Sequence, residues 1–114
     1  MEVKTKGKGL NSDNNGVRLG GNIILTGFSL EPAEMIVVKK IVGTYVRKIS
    51  EKIDYKEIKI NLKQSQKAKS FLHEIQVDVR TNKGLLTSNT NDRNLYTALS
   101  EALNKVNNQA EHKS

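Results

Sequence analysis

The sequence contains no cysteine, no tryptophan and a single proline, and its aromatic residues are three Tyr and two Phe in 114 positions. Without cysteine there is no disulfide and no thiolate metal site, and nothing in the composition opposes a reducing interior. With 36 % hydrophobic residues and only 4 % aromatic ones, a core must be built from Ile, Val and Leu. No apolar run approaches the roughly 18 residues that span a bilayer. Lys4, Lys6 and Lys8 near the start are not followed by an apolar stretch, so they do not introduce a secretory signal. The expectation is one cytoplasmic domain of ordinary size, with no membrane partner.

Charge is abundant. Nineteen basic residues against twelve acidic ones leave a formal net charge of +7, which points to a polyanionic partner. The cations are also clustered. Lys59, Lys63, Lys67 and Lys69 lie within eleven residues that hold no acid. Lysines of this kind neutralise phosphates and release counterions, so they position a protein on nucleic acid without reading bases.

Residues 1–21 are rich in Gly, Asn and Lys and lack apolar periodicity, which reads as a flexible basic arm. Asn22 to Phe28 is a β-branched run bounded by glycine, the pattern of a strand. Ser29 is placed to cap the next helix, with Pro32 in its first turn. Between Ala33 and Lys52, Val37, Ile41, Tyr45, Ile49 and Ile53 recur every four residues, with Val38, Val42 and Val46 beside them, so this segment is expected to be helical. Ile58, Ile60 and Leu62 alternate with Glu57, Lys59, Asn61 and Lys63, as in a strand with one wet face. Gln64 to Ser70 reads as a polar loop, and Phe71 to Thr81 as a third strand with Ile75, Val77 and Val79 inward. Asn82-Lys83-Gly84 is a turn, and Leu85 to Asn89 a short fourth strand. Asn91 or Asp92 caps a last helix in which Leu95, Ala98, Leu99, Ala102, Leu103 and Val106 form the apolar stripe. Residues 109–114 are expected to fray.

The order is β-α-β-β-β-α, an α+β fold. The first βαβ unit should pair its strands in parallel, and both helices, each with one apolar stripe, should cover one face of a four-stranded sheet. Residues 22–108 form the single expected domain. Nothing in the sequence assembles a catalytic site. His73 has no partner cluster, and the other histidine, His112, lies in the tail. The glycines at 7, 9, 16, 20 and 21 are not followed by the GK(S/T) of a phosphate loop. No enzyme activity, cofactor, metal or small-molecule substrate is expected.

Asn82-Lys83-Gly84-Leu85-Leu86, followed by Asn94-Leu95-Tyr96-Thr97-Ala98-Leu99 and Leu103-Asn104-Lys105-Val106, resembles the turn, fourth strand and last helix of the short-form ribosome hibernation promoting factors, also called ribosome-associated inhibitors. Leu25-Thr26-Gly27 through Pro32-Ala33 is a second, colinear match. The resemblance runs from about Asn22 to Lys113. It implies a fold like that of double-stranded-RNA-binding domains, and a protein that occupies the tRNA–mRNA decoding channel of the small ribosomal subunit and silences translation under stress. It departs from the family pattern where Asn104, Asn107 and Asn108 stand in place of further basic residues.

The expected rRNA contacts are Lys40, Arg47, Lys48, Lys59, Lys63, Lys67, Lys69, Arg80, Lys83, Arg93 and Lys105. Lys4, Lys6, Lys8 and Arg18 are added if the arm folds on its target. The partner is the small ribosomal subunit, bound by a monomer. Two other readings share the residues: a general double-stranded RNA binder or RNA chaperone, and a protein–protein adaptor that docks through the open sheet face.

Overall fold

The computed structural model describes residues 16–113. Its strands are β1 (Gly16–Arg18), β2 (Ile23–Thr26), β3 (Tyr55–Lys67), β4 (Ser70–Thr81) and β5 (Gly84–Asp92), and its helices are α1 (Pro32–Ser50) and α2 (Leu95–Lys113). The sheet order is β1-β2-β3-β4-β5. β2 and β3 pair in parallel and the other neighbours are antiparallel. From β2 to α2 this is the expected β-α-β-β-β-α order.

Alternation explains the layers. Ile58, Ile60 and Leu62 of β3, and Ile75, Val77 and Val79 of β4, are buried under Val38, Val42, Val46 and Ile49 of α1 and Leu95, Ala98, Leu99, Ala102, Leu103 and Val106 of α2, in one aliphatic cluster. The buried stripe of α1 runs one residue later than its four-residue repeat suggests. Val38 is buried and Val37 is 39 % exposed.

Several boundaries differ from expectation, each for a local reason. The expected arm of residues 1–21 ends in structure, because Gly16–Arg18 pair with β2 and cover an edge that would otherwise leave backbone groups unpaired. The reversal uses Gly20, Gly21 and Asn22, which take φ of 87°, 56° and 63°. Lys4, Lys6 and Lys8 lie outside the described residues. α1 is capped at Glu31 rather than Ser29. Pro32 occupies the first helical position and holds the residue before it extended, and the Glu34 carboxylate accepts the Glu31 N–H at 3.0 Å.

The segment Gln64 to Ser70 is not a loop. β3 runs to Lys67 and the turn is Ala68-Lys69, with Ala68 at φ 56°. Both faces of this ribbon are wet, so it carries no alternation that would reveal a strand. β5 also outruns Leu85–Asn89. Its inward positions include Ser88 and Thr90, whose hydroxyls donate to the Ala102 and Ala98 carbonyls at 2.7 and 2.6 Å. Polar residues at core positions hid the strand, and α2 satisfies them.

α2 is capped by Asn94, whose Oδ1 accepts the Thr97 N–H at 3.0 Å. Asp92 in turn accepts the Asn94 N–H at 2.8 Å. Asn91 and Asp92 are therefore not the cap. The expected frayed tail is helix as far as Lys113. Ala110 is buried, the Gln109 side chain donates to the Thr87 carbonyl at 2.8 Å, and Lys52 bridges α1 to Glu111 at 2.9 Å. Among the described residues no helix is long and apolar enough to cross a membrane.

Candidate nucleic-acid interface

The cations fall on several surfaces, with different surroundings. Between Glu34 and Glu51, α1 carries Lys39, Lys40, Arg47 and Lys48 and no acid. All four are exposed, and among the described residues none is ion-paired. Lys40 and Arg47 stand seven residues apart on the outward side of α1, with Thr44 between them. Lys48 is held over the Tyr45 ring at 5.1 Å from its centroid, which orients the ammonium without neutralising it. Lys39 was not among the expected contacts, although its spacing already set it off the centre of the apolar stripe. Lys52 is drawn out of this surface. Its Nζ donates to the Asn107 Oδ1 at 2.9 Å and pairs with Glu111, whose carboxyl this hydrogen bond and charge hold below the usual range.

The open face of the sheet is different. In register, Lys59 stands opposite Asp78 and Lys63 opposite Glu74, and the Arg80 guanidinium lies 3.9 Å from Glu57. Lys59 and Lys63 thus each have an acid as cross-strand neighbour, without an ion pair, while Lys67 stands opposite Ser70. Asp78 also accepts the Thr87 hydroxyl at 2.9 Å, and Glu74 accepts the Asn89 amide at 3.1 Å. Such cross-strand pairs select register more than they add stability.

The third surface is the tip of the β3–β4 hairpin. Lys69 is exposed there, and the Arg93 guanidinium donates to the Ser70 hydroxyl. Lys67 is the last residue of β3. At the opposite end of the sheet Lys83 sits in the β4–β5 turn, at the mouth of a cleft of about 240 Å³ lined by Lys52, Asp54 and Leu86. Lys105 stands apart from all of these. It is one turn before Gln109, which reaches β5, so it lies on the side of α2 away from α1. Arg18 ends β1.

The structure therefore gathers Lys40, Arg47 and Lys48, adds Lys39, pairs Arg80 with Glu57, sets Lys59 and Lys63 across from Asp78 and Glu74, and separates Lys83 and Lys105 from the rest. No group of three or more His, Cys, Asp or Glu side chains suited to a metal occurs among the described residues. His73 is half-buried opposite Gln64 and Asp92, and its Nδ1 makes no hydrogen bond.

No protein-family model and no curated protein matches the chain. Solved structures do. The protein Y N-terminal domain of Thermus thermophilus is similar over 81 % of this chain and 93 % of its own, at 22 % identity and a TM-score of 0.51. A ribosomal subunit interface protein from Coxiella burnetii is similar over 78 % of this chain and 90 % of its own, at 13 % identity and a TM-score of 0.51. The chain shares its fold with these two proteins. That fold places two helices on one side of the sheet, so the α1 cations and the β3–β5 ladder face opposite ways.

Proposed function

We propose that this protein binds the small ribosomal subunit through rRNA phosphates and silences translation by occupying the decoding channel, without chemistry of its own. The observation that carries this is the exposed surface of α1, where Lys40 and Arg47 face outward, Lys39 and Lys48 stand on the two flanks, and none of the four forms an ion pair among the described residues. A fold shared with a ribosomal subunit interface protein supports the choice of partner. Lys39, Lys40, Arg47 and Lys48 form the main contact. Lys69 and Arg93 at the hairpin tip form a second, together with Lys67 by its place in the chain. Lys59, Lys63, Arg80, Lys83 and Lys105 contribute less, because they are balanced or isolated. The protein acts in the cytoplasm as a monomer.

The adaptor reading finds little support in the open sheet face. Leu85 is its one large exposed apolar side chain among the described residues, in a field of charge pairs and amides. The test is sedimentation with purified small subunits at several salt concentrations, together with in vitro translation. Association that falls steeply with salt, and translation that stops as protein saturates the subunits, is the expected result. Unimpeded translation at saturation overturns the silencing role. Equal affinity for naked RNA hairpins replaces it with general double-stranded RNA binding.

A further inference from the structure

The β3–β4 hairpin outruns the rest of the sheet. β2 leaves β3 at the pair Thr26–Asn61, and β5 leaves β4 at the pair His73–Asp92. Beyond them the pairs Ser65–Leu72, Gln66–Phe71 and Lys67–Ser70 continue as a two-stranded ribbon closed by Ala68 and Lys69. Phe71 has the same strand parity as Ile75 and Val77, yet it takes no part in the core and is 55 % exposed. A single exposed apolar residue is ordinary on a protein surface. Here, though, it is one of only two phenylalanines, and it sits on a ribbon that buries nothing. Arg93, at the start of α2, braces its guanidinium on Ser70, the residue next to Phe71, and Lys69 is exposed one position earlier.

By strand alternation Ser70, and the Arg93 braced on it, lie across the narrow ribbon from the Phe71 ring, with Lys69 exposed in the turn. An exposed ring with cations at the edge and on the reverse of the same ribbon has the two elements that hold a single-stranded nucleotide. The ring stacks on a base of any identity, and the cations neutralise the adjoining phosphates. We infer that the hairpin tip grips an unpaired nucleotide, with Phe71 stacking on the base, Lys69 on its phosphate, and Arg93 meeting the strand where it passes round the ribbon. The inference rests on the RNA-binding reading above and extends it, since the α1 surface supplies backbone charge alone and no base contact.

The chain has no tryptophan, so Phe71→Trp introduces a single indole fluorophore at the site in question. Two titrants are used: small subunits, and a single-stranded RNA of about a dozen nucleotides, which matches the reach of such sites. An abasic RNA of the same length is the control. Indole emission from the Phe71→Trp variant should be quenched by both titrants and unchanged by the abasic strand. Phe71→Leu should weaken binding to the single-stranded RNA by roughly 5- to 150-fold, the range for one stacked base, while Phe71→Trp keeps wild-type affinity. Wild-type affinity of Phe71→Leu for both titrants overturns the inference, as does unaltered indole emission with RNA bound. Weakened subunit binding by Phe71→Leu, with the indole of Phe71→Trp unquenched, also overturns it and points to an apolar protein pocket instead. If the wild-type protein does not sediment with subunits, the ribosomal reading fails, and the single-stranded RNA titration still decides the stacking contact.

Discussion

Two surfaces of this molecule carry cations in similar number and differ in what stands opposite them. On the exposed surface of α1 a helical period brings Lys39, Lys40, Arg47 and Lys48 to solvent with no acid in the intervening turns. On the open face of the sheet, register sets Lys59 against Asp78 and Lys63 against Glu74, and brings Arg80 to Glu57. A helix takes its neighbours from its own sequence, whereas a strand takes them from another strand. A basic run therefore means a basic surface on a helix, and on a sheet only if the partner strand agrees.

The largest expected effect separates the two surfaces. Lys40→Glu combined with Arg47→Glu takes two cations away from the RNA phosphates and adds repulsion, and should weaken subunit binding by roughly 100-fold, at about 1–1.5 kcal/mol for each site. The slope of log affinity against log salt should also fall by about 0.7–0.9 for each phosphate that is no longer neutralised. Lys59→Glu with Lys63→Glu should change affinity by only about threefold, since those lysines already face carboxylates. Equal losses from the two pairs would dissolve the distinction.

The comparison also depends on how α1 is anchored to the sheet. Gly27, between β2 and α1, has φ 78°, and a Cβ there would overlap the Leu62 carbonyl oxygen of β3. The clash is with backbone, which cannot swing aside. Gly27→Ala should destabilise the fold by about 2–4 kcal/mol in urea titration. Near-native stability would mean that the β2–α1 connection relaxes freely, and that the position of the α1 surface is not fixed at this point.

A smaller change sharpens the contrast from the other side. Glu74→Gln with Asp78→Asn preserves acceptors for Asn89 and Thr87 while stripping two charges from the ladder. The sheet face then carries unbalanced lysines, and RNA affinity should rise by roughly three- to tenfold at low salt, with the gain lost at high salt. An affinity that stays put would show that the sheet face lies away from the bound RNA altogether.

Much of the fold was legible where apolar periodicity and burial coincide, as in the stripe of α2 and the alternation of Ile58, Ile60 and Leu62. It was illegible where strand residues bury polar groups, as Ser88 and Thr90 do against α2 carbonyls, or bury nothing, as Ser65 and Gln66 do in the hairpin tip. The candidate site divided in the same way. The α1 cations could be placed from spacing alone, because helix geometry is local. The acids that stand opposite Lys59 and Lys63 are set by a register with β4 that no short-range pattern encodes. Phe71 was legible as an aromatic residue in a strand, but not as an exposed one, since its exposure follows from how far β5 and α2 extend.

The smallest expected effect lies at the seam between the helices and tests whether α1 is basic by withdrawal as well as by composition. Lys52, one turn after Lys48, is held by Asn107 and Glu111 rather than left to solvent. Its hydrogen bond and charge lower the Glu111 pKa in the folded state. A carboxyl lowered in this way stabilises the fold at pH values above its unfolded range, and that contribution disappears as pH falls through the folded value. Wild type and Glu111→Gln should therefore differ slightly in melting temperature near neutrality and converge in acid. The same substitution loosens Lys52 from α2 and should raise phosphate affinity marginally, by adding a fifth cation beside Lys48. Parallel melting curves at every pH would leave Asn107 as the sole anchor of Lys52, with no charge coupling across the two helices.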